Sequence, residues 1–247
     1  MVVTSPPYNV GLDYSDHNDA MKYEDYLEWM RNISIEIFRV LVDGGRFALN
    51  IAPTSIADFC PVHHDLCTML RNLGFIMRTE IIWYKQTMRS RTAWGSWKSP
   101  NNPHIIPSWE YVFVFSKKQW NLPGDPTDID ITTEEFKRFS DGHWFIRPET
   151  RKRQPYLKGR KSGTHPAAFP EELVYRLLKY YSYRNNVILD MFGGTGTVAA
   201  VALKTNRQFI HFDNSVDYNE IAKKRISAIN IEVESRHMTL FPADSLA

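Results

Sequence analysis

The chain has 247 residues, of which 43% are hydrophobic and 23% are charged, and its formal net charge is +2. This composition excludes collagen-like, disordered and disulfide-scaffold proteins, and the net charge alone does not indicate a nucleic-acid-binding protein. Only two cysteines are present, and no apolar run approaches the roughly 20 residues that span a membrane. Since the N-terminus also has no signal-peptide pattern, we expect a cytoplasmic protein without a membrane partner.

The first half of the chain shows alternating strand and helix patterns. A short buried strand over 2–4 should end at Ser5-Pro6-Pro7, because consecutive prolines remove the donors of a sheet ladder. Apolar residues at helical spacing predict helices over 23–41 and from Pro61 to 73. Apolar, β-branched runs predict further strands over 46–52, 79–84 and 111–115.

The second half begins irregularly and then returns to alternation. Residues 116–165 have no sustained periodicity and predict an insertion with one short helix over 133–139. After it, the pattern predicts helices over 170–181, 196–204 and 218–229, and strands over 186–190, 208–213 and 236–241. Such alternation is typical of a parallel sheet covered on both faces.

A glycine-rich turn follows the predicted strand that ends at Asp190, in the segment Asp-Met-Phe-Gly-Gly-Thr-Gly-Thr over 190–197. Glycines allow a tight turn and let a ligand approach the backbone. Asp213 ends the next strand, where an acid commonly binds ribose hydroxyls. No Lys-Ser/Thr pair follows the glycines, so the segment is not a P-loop.

The segment Thr4-Ser5-Pro6-Pro7-Tyr8 combines a hydroxyl, a carbonyl of fixed direction and an aromatic ring. It is either a structural proline turn or a site for an amine. Ser5 and the Pro6 carbonyl could both accept hydrogen bonds from an NH₂ group, and Tyr8 could stack on a flat ring. If the ring alone carries this role, Tyr8→Phe should be nearly silent.

Together, these two segments resemble motifs IV and I of the S-adenosylmethionine-dependent DNA amino-methyltransferases. The catalytic segment comes before the cofactor segment, which is the order of the β class. The segment 165–170, His-Pro-Ala-Ala-Phe-Pro, is also similar to a cofactor-binding segment of this family. The resemblance implies a three-layer α/β Rossmann-like fold with a mostly parallel seven-stranded sheet, and a prokaryotic, nucleoid-associated enzyme.

The resemblance also implies the site residues. The catalytic residues would be Ser5, Pro6, Pro7 and Tyr8. The residues that bind S-adenosylmethionine, and its product S-adenosylhomocysteine, would be Thr4, Phe169, Pro170, Asp190, Phe192, Gly193, Gly194, Gly196, Thr197, Asp213 and Asp244. Asp244 lies in a Gly-Asp-Ser-Leu-like segment that family members usually carry before the catalytic segment. Here it either takes over that role or is a chance match.

These residues leave two candidates for the target base. A serine-type segment is similar to that of N4-cytosine enzymes, whereas N6-adenine enzymes more often carry Asp-Pro-Pro-Tyr, so N4 of cytosine is expected and N6 of adenine is the alternative. C5-cytosine methylation is disfavoured because it needs a Pro-Cys segment, and Cys60 instead precedes Pro61. Another alternative is a catalytically silent subunit that binds DNA or a partner.

Two basic segments predict contacts to DNA phosphates, because neither contains an acid. Their residues are Lys85, Arg89, Arg91 and Lys98 in the first, and Arg151, Lys152, Arg153, Lys158, Arg160 and Lys161 in the second. Double-stranded DNA is the expected partner, and the resemblance allows a homodimer and a cognate restriction endonuclease. The residues Cys60, His63, His64 and Cys67 have irregular spacing for zinc, so no metal is expected.

These segments divide the chain into three parts. Residues 1–85 would form the catalytic half of the methyltransferase domain, and 165–247 its cofactor-binding half. Residues 86–164 would form the target-recognition insertion, which includes one strand of the sheet near 110–116.

Overall fold

The computed structural model describes residues 1–11, 13–14, 17–54, 59–85, 95–105, 107–149 and 170–238. In these ranges the helices are α1 Tyr23–Val40, α2 Val62–Asn72, α3 Thr133–Phe139, α4 Glu171–Tyr181, α5 Thr197–Lys204 and α6 Val216–Met238. The strands are β1 Val2–Thr4, β2 Asp13–Tyr14, β3 His17–Asn18, β4 Arg46–Ile51, β5 Phe75–Tyr84, β6 Trp109–Lys117, β7 His143–Phe145, β8 Val187–Asp190 and β9 Gln208–His211.

Seven strands form one sheet in the order β7-β5-β6-β4-β1-β8-β9, and β2 pairs with β3 in a separate hairpin. All neighbours in the large sheet are parallel except β6, which runs antiparallel to both β4 and β5. The predicted α/β fold with a mostly parallel seven-stranded sheet is therefore confirmed.

Helices cover both faces of the sheet, because its strands carry apolar side chains on both sides. Buried residues of α1 and α2 pack with Phe47, Leu49 and Phe113 on one face. Buried residues of α4 and α5 pack with Ala48 and Val114 on the other face. The molecule is thus a three-layer sandwich, and no described helix is long and apolar enough to cross a membrane.

The predicted seventh strand over 236–241 is wrong at residues 236–238, which belong to the helix α6, and residues 239–241 lie outside the described residues. The strand that completes the sheet is instead β7, in the segment that sequence patterns left irregular. It pairs in parallel with the end of β5, and its Trp144 is almost fully buried. Only one of its three side chains is buried, unlike the fully buried β1, so it forms no apolar run that the sequence pattern could mark.

The predicted short helix over 133–139 is confirmed as α3, and its start is fixed by a capping box. The Thr132 hydroxyl accepts from the Glu135 backbone N–H, and the Glu135 carboxylate accepts from the Thr132 N–H.

The segment before α3 is anchored to the second half of the fold by an ion-pair cluster. Asp130 accepts from both terminal nitrogens of Arg207, a side chain with no exposed surface, and also pairs with Lys179. The segment before α3 therefore meets α4 and the start of β9 at one partly buried carboxylate.

Candidate active site

The two segments singled out by the sequence lie side by side at the carboxyl ends of two neighbouring strands inside the sheet. β1 and β8 are neighbours, and the chain leaves them in opposite directions, towards β4 and towards β9. This is a topological switch point, where open α/β sheets bind ligands beyond the carboxyl ends of the strands. The Thr4 hydroxyl donates to Asp190 Oδ1 at 2.7 Å and so joins the two segments directly.

Asp190 is fully buried at this junction. Its Oδ1 also accepts from the Phe192 backbone N–H at 3.1 Å. Burial raises the pKa of Asp190 to about 7, although the two hydrogen bonds act in the opposite direction. The carboxyl group thus links the end of β1 to the turn after β8 and fixes their relative positions.

The turn after β8 has the backbone conformation that its glycines permit. Gly194 and Gly196 have φ values of 50° and 79°. A Cβ at Gly193 would lie 2.2 Å from the His211 ring, so only glycine fits against the end of β9. The turn is therefore held close to the neighbouring strand.

Asp213 lies just beyond β9, beside this turn. Its Oδ2 accepts from the Gly194 N–H at 2.8 Å, and its Oδ1 accepts from the Ser215 N–H at 2.9 Å. These bonds orient the carboxylate, and each of its oxygens retains a further acceptor site.

Other predicted cofactor residues surround the turn. The Phe192 ring lies 5.5 Å from that of Trp29 on α1. The Thr197 hydroxyl accepts from Arg225 at 3.1 Å, and Arg225 also donates to Glu171 at 2.6 Å. Pro170 lies at the N-terminal cap of α4, directly before Glu171. Thr197 and the start of α4 are thus tied together through α6.

A polar cluster lies behind the segment after β1. Tyr8 Oη lies 2.9 Å from Ser5 Oγ and 2.9 Å from Glu110 Oε2. The Asn50 amide nitrogen is 2.8 Å from Tyr8 Oη, 2.6 Å from Glu110 Oε2 and 3.3 Å from Ser5 Oγ. Asn50 and Glu110 are only 4% and 7% exposed, so we call Ser5, Tyr8, Asn50 and Glu110 the buried polar cluster.

Lys85 belongs to this arrangement as well. Its ammonium group pairs with Glu110 Oε1 and lies 5.1 Å from the Trp83 ring centroid. Its charge is thus directed at the buried polar cluster.

Asn50 and Glu110 were not predicted as site residues. A signal was available, because each is a polar residue between two hydrophobic neighbours in a predicted strand or directly before one. Buried polar groups in such positions need partners, and here the partners are the predicted catalytic residues.

The two prolines present their carbonyl groups differently. The Tyr26 hydroxyl donates to the Pro7 carbonyl at 2.9 Å and ties the segment to α1. In the part of the chain that the structure describes, the Pro6 carbonyl accepts no hydrogen bond.

A cavity of about 320 Å³ opens beside Tyr8. Its walls include Asn9, Tyr26 and Thr54. Asn9 has a φ of 57° and its backbone N–H donates to the buried Asp19 at 2.8 Å, which fixes the chain beyond Tyr8.

Most of the residues predicted to contact DNA lie outside the described part of the chain. Lys98 is exposed, and its ammonium lies 5.8 Å from the Trp97 ring centroid. Outside the described residues lie Phe169, Asp244, Arg89, Arg91, Arg151, Lys152, Arg153, Lys158, Arg160 and Lys161. Across the described ranges, no three His, Cys, Asp or Glu side chains form a metal-binding group.

Comparison with known proteins assigns the family. A model of the N6/N4 family described as DNA methylase matches residues 1–224. The chain belongs to this family. It is thus a DNA methyltransferase of the N4/N6 amino-methyltransferase group, as its two motifs predict.

Three relatives illustrate the likeness of this DNA methylase to others. The type II methyltransferase M.MjaVI of Methanocaldococcus jannaschii is 37% identical over 153 residues, which are 62% of this chain and 78% of the relative. A putative DNA modification methylase of Thermus thermophilus, solved with S-adenosyl-L-methionine, is 28% identical with a TM-score of 0.69, over 92% of this chain and 86% of that one. The cytosine-N4-specific PvuII DNA methyltransferase, 18% identical with a TM-score of 0.66 over 93% of this chain and 82% of that one, shares the fold.

Proposed function

We propose that this protein transfers a methyl group from S-adenosylmethionine to the exocyclic amine of a base flipped out of duplex DNA, and that the amine is N4 of cytosine. The Thr4–Asp190 hydrogen bond carries the proposal, since it joins a segment suited to an amine to a turn suited to a nucleoside. The reaction needs both ligands at one point, because alignment of the reacting atoms supplies much of the rate.

The turn after β8 fits S-adenosylmethionine by its own geometry. Gly193 and Gly196 let the turn pack closely against the His211 ring and Ala222, and the oriented Asp213 carboxylate beside the turn is suited to ribose hydroxyls. The Phe192 ring is suited to a positively charged sulfonium through its π face. When bound, this cofactor supplies an electrophilic methyl group.

The segment after β1 fits the amine. The lone pair of an exocyclic amine is delocalised into the base, which makes its nitrogen a weak nucleophile. Ser5 Oγ and the Pro6 carbonyl accept its two hydrogens, which favours a tetrahedral nitrogen and frees the lone pair. The cavity beside Tyr8 can take a flipped base, and the Tyr8 ring can stack on it.

Cytosine N4 is proposed because position 5 is serine, whereas adenine N6 enzymes more often have aspartate there. Both side chains accept from an NH₂ group, so N6 of adenine is the second candidate. Phosphate contacts from the residues of the two basic segments other than Lys85, a homodimer and a cognate endonuclease belong to the proposal as well.

Sequencing of modified bases tests this function directly. The gene is expressed in a host that lacks DNA amino-methylation, and its genome is sequenced by a method that distinguishes N4-methylcytosine from N6-methyladenine. We expect N4-methylcytosine at one recurring sequence. If N6-methyladenine appears there instead, adenine is the target base. If the host shows no methylation while a control enzyme expressed in the same way methylates its DNA, the proposed function is wrong.

Replacing Asp213 should weaken the binding of the cofactor. Asp213→Ala leaves ribose hydroxyls and the Gly194 N–H without their acceptor, so we expect S-adenosylmethionine to bind more weakly by about 1–3 kcal/mol. Isothermal titration calorimetry on the folded variant measures this. Asp217→Ala, an exposed acid in the first turn of α6, is the matched control and should bind normally. Equal affinities for both variants would remove the ribose role of Asp213.

A further inference from the structure

Glu110 sits at the centre of the buried polar cluster and has no role in the proposed reaction so far. Three donors converge on its carboxylate, namely the Tyr8 hydroxyl, the Asn50 amide and the Lys85 ammonium. Facing three donors, this carboxylate accepts hydrogen bonds from all of them. Its side chain is 9% exposed, so its charge acts in an environment with little water.

This charge fixes the direction of the Tyr8 hydroxyl. The single hydrogen of Tyr8 must point to Glu110 Oε2, since two oxygens at 2.9 Å without a hydrogen between them would repel each other. Tyr8 Oη can then only accept from its other neighbours. Asn50 offers one hydrogen to Glu110 at 2.6 Å and the other to Tyr8 at 2.8 Å.

The orientation of the Tyr8 hydroxyl in turn decides which atom donates in the Ser5–Tyr8 hydrogen bond. The 2.9 Å contact between Ser5 and Tyr8 allows either atom to donate, but Tyr8 has no hydrogen left to give. Ser5 must therefore donate to Tyr8, which leaves only lone pairs of Ser5 Oγ for a substrate. The hydrogens of Asn50 are already engaged at shorter distances than its 3.3 Å to Ser5.

We propose that Glu110 is a positioning residue that makes Ser5 act as an acceptor only, by setting the direction of the Glu110–Tyr8–Ser5 hydrogen bonds. This inference rests on the proposed function, because it concerns how Ser5 faces the target amine. It explains how a serine, which can donate or accept, serves in a place where an acceptor is needed. Lys85 and Asn50 support it by holding the Glu110 carboxylate in its orientation.

The Tyr8 hydroxyl has a role under this scheme, contrary to the expectation that its ring alone matters. Tyr8→Phe removes the link through which Glu110 directs Ser5. It should therefore slow methyl transfer instead of being silent.

Glu110→Gln tests the proposal with little change of shape. Lys85 attracts the amide oxygen, so the amide NH₂ faces Tyr8 and donates to it. Tyr8 then donates to Ser5, and Ser5 turns its hydrogen towards the amine. We expect single-turnover methyl transfer to slow by about tenfold or more. The affinity for S-adenosylmethionine and the flipping signal of a fluorescent base at the target should stay at wild-type levels.

Glu80→Gln is the matched control, because Glu80 is an exposed acid on β5, and it should transfer at the wild-type rate. A wild-type rate in Glu110→Gln would overturn the proposal. Slow transfer together with a lost flipping signal would also overturn it, because Glu110 would then merely hold Tyr8 in place.

Ser5→Asp provides a second arm, since a carboxylate has no hydrogen to misdirect. The rates with and without Glu110→Gln are compared within the wild-type background and within the Ser5→Asp background, so that a slow Ser5→Asp variant does not bias the result. In the Ser5→Asp background, we expect Glu110→Gln to lower the methyl-transfer rate by less than about threefold. Equal losses in both backgrounds would overturn the inference alone, whereas a wild-type protein that transfers no methyl group to DNA would overturn the proposed function and this inference with it.

Discussion

Ser5→Ala should slow the methyl-transfer step by about 30- to 900-fold, which corresponds to about 2–4 kcal/mol of transition-state stabilisation. Under the proposed function, Ser5 accepts from the target amine most strongly when the amine nitrogen becomes tetrahedral. Its contribution therefore belongs to the transition state, and the affinities for DNA and for cofactor should change little. The buried partners of Ser5 survive this change, because Tyr8 keeps its bonds to Asn50 and Glu110.

Single-turnover transfer of a labelled methyl group measures this rate, and titrations of DNA and cofactor measure the two affinities. Ser140→Ala, at an exposed serine that ends α3, is the matched control. A wild-type rate in Ser5→Ala would mean that the proline segment is only structural.

Asp130→Ala should lower the free energy of unfolding by about 3 kcal/mol, because it leaves the buried Arg207 without a counter-charge. Arg207 has no exposed side-chain surface, and Lys179 is 10% exposed. Arg207 would keep its desolvation cost and lose the carboxylate that offsets it, whereas Lys179 would keep its pair with Glu135 at 3.8 Å. Chemical denaturation at pH 7 measures the loss. Asp43→Ala, which removes an exposed pair with Lys118, should cost less than about 1 kcal/mol.

The effect of Asp130 should depend on pH in a defined direction. Burial alone would raise the pKa of Asp130, but Arg207 and Lys179 outweigh it and hold that pKa below its usual value. A lowered carboxyl pKa stabilises the fold above the unfolded value of about 3.9, and this stabilisation is lost as the pH falls through the folded pKa. The difference between wild type and Asp130→Ala should thus shrink in acid. A constant difference down to strongly acidic pH would contradict the ion-pair explanation.

Much of the fold followed from local patterns. The strands β1, β4 and β8 and the helices α1, α4 and α5 lie within a residue or two of their predicted limits, because each is rich in apolar residues and has a Gly or Pro near one end. β7 was missed because only the middle one of its three residues is buried, so no apolar run marks it. α6 was predicted to end early, and a strand was placed where its last turn lies.

The motif residues of the site could be predicted from the sequence, but the buried residues that contact them could not. The sequence indicated Ser5, Asp190 and Asp213 because turn chemistry and strand ends mark them. Asn50 and Glu110 could not be linked to Tyr8 from sequence, since they lie on different strands and their proximity depends on the antiparallel pairing of β4 with β6. Lys85 was assigned to DNA phosphate by charge alone, whereas the structure pairs it with Glu110.

The position of β1 has a consequence for how the enzyme is made. β1 lies between β4 and β8, and 186 residues separate Thr4 from its partner Asp190. At about 5–20 residues per second, a ribosome needs roughly 10–40 seconds to make that stretch. During this time the catalytic segment has one open strand edge and no cofactor turn beside it. The nascent first half thus carries the segment proposed to hold the amine but cannot assemble the site, and its exposed strand edge is where a chaperone or a wrong strand would first pair.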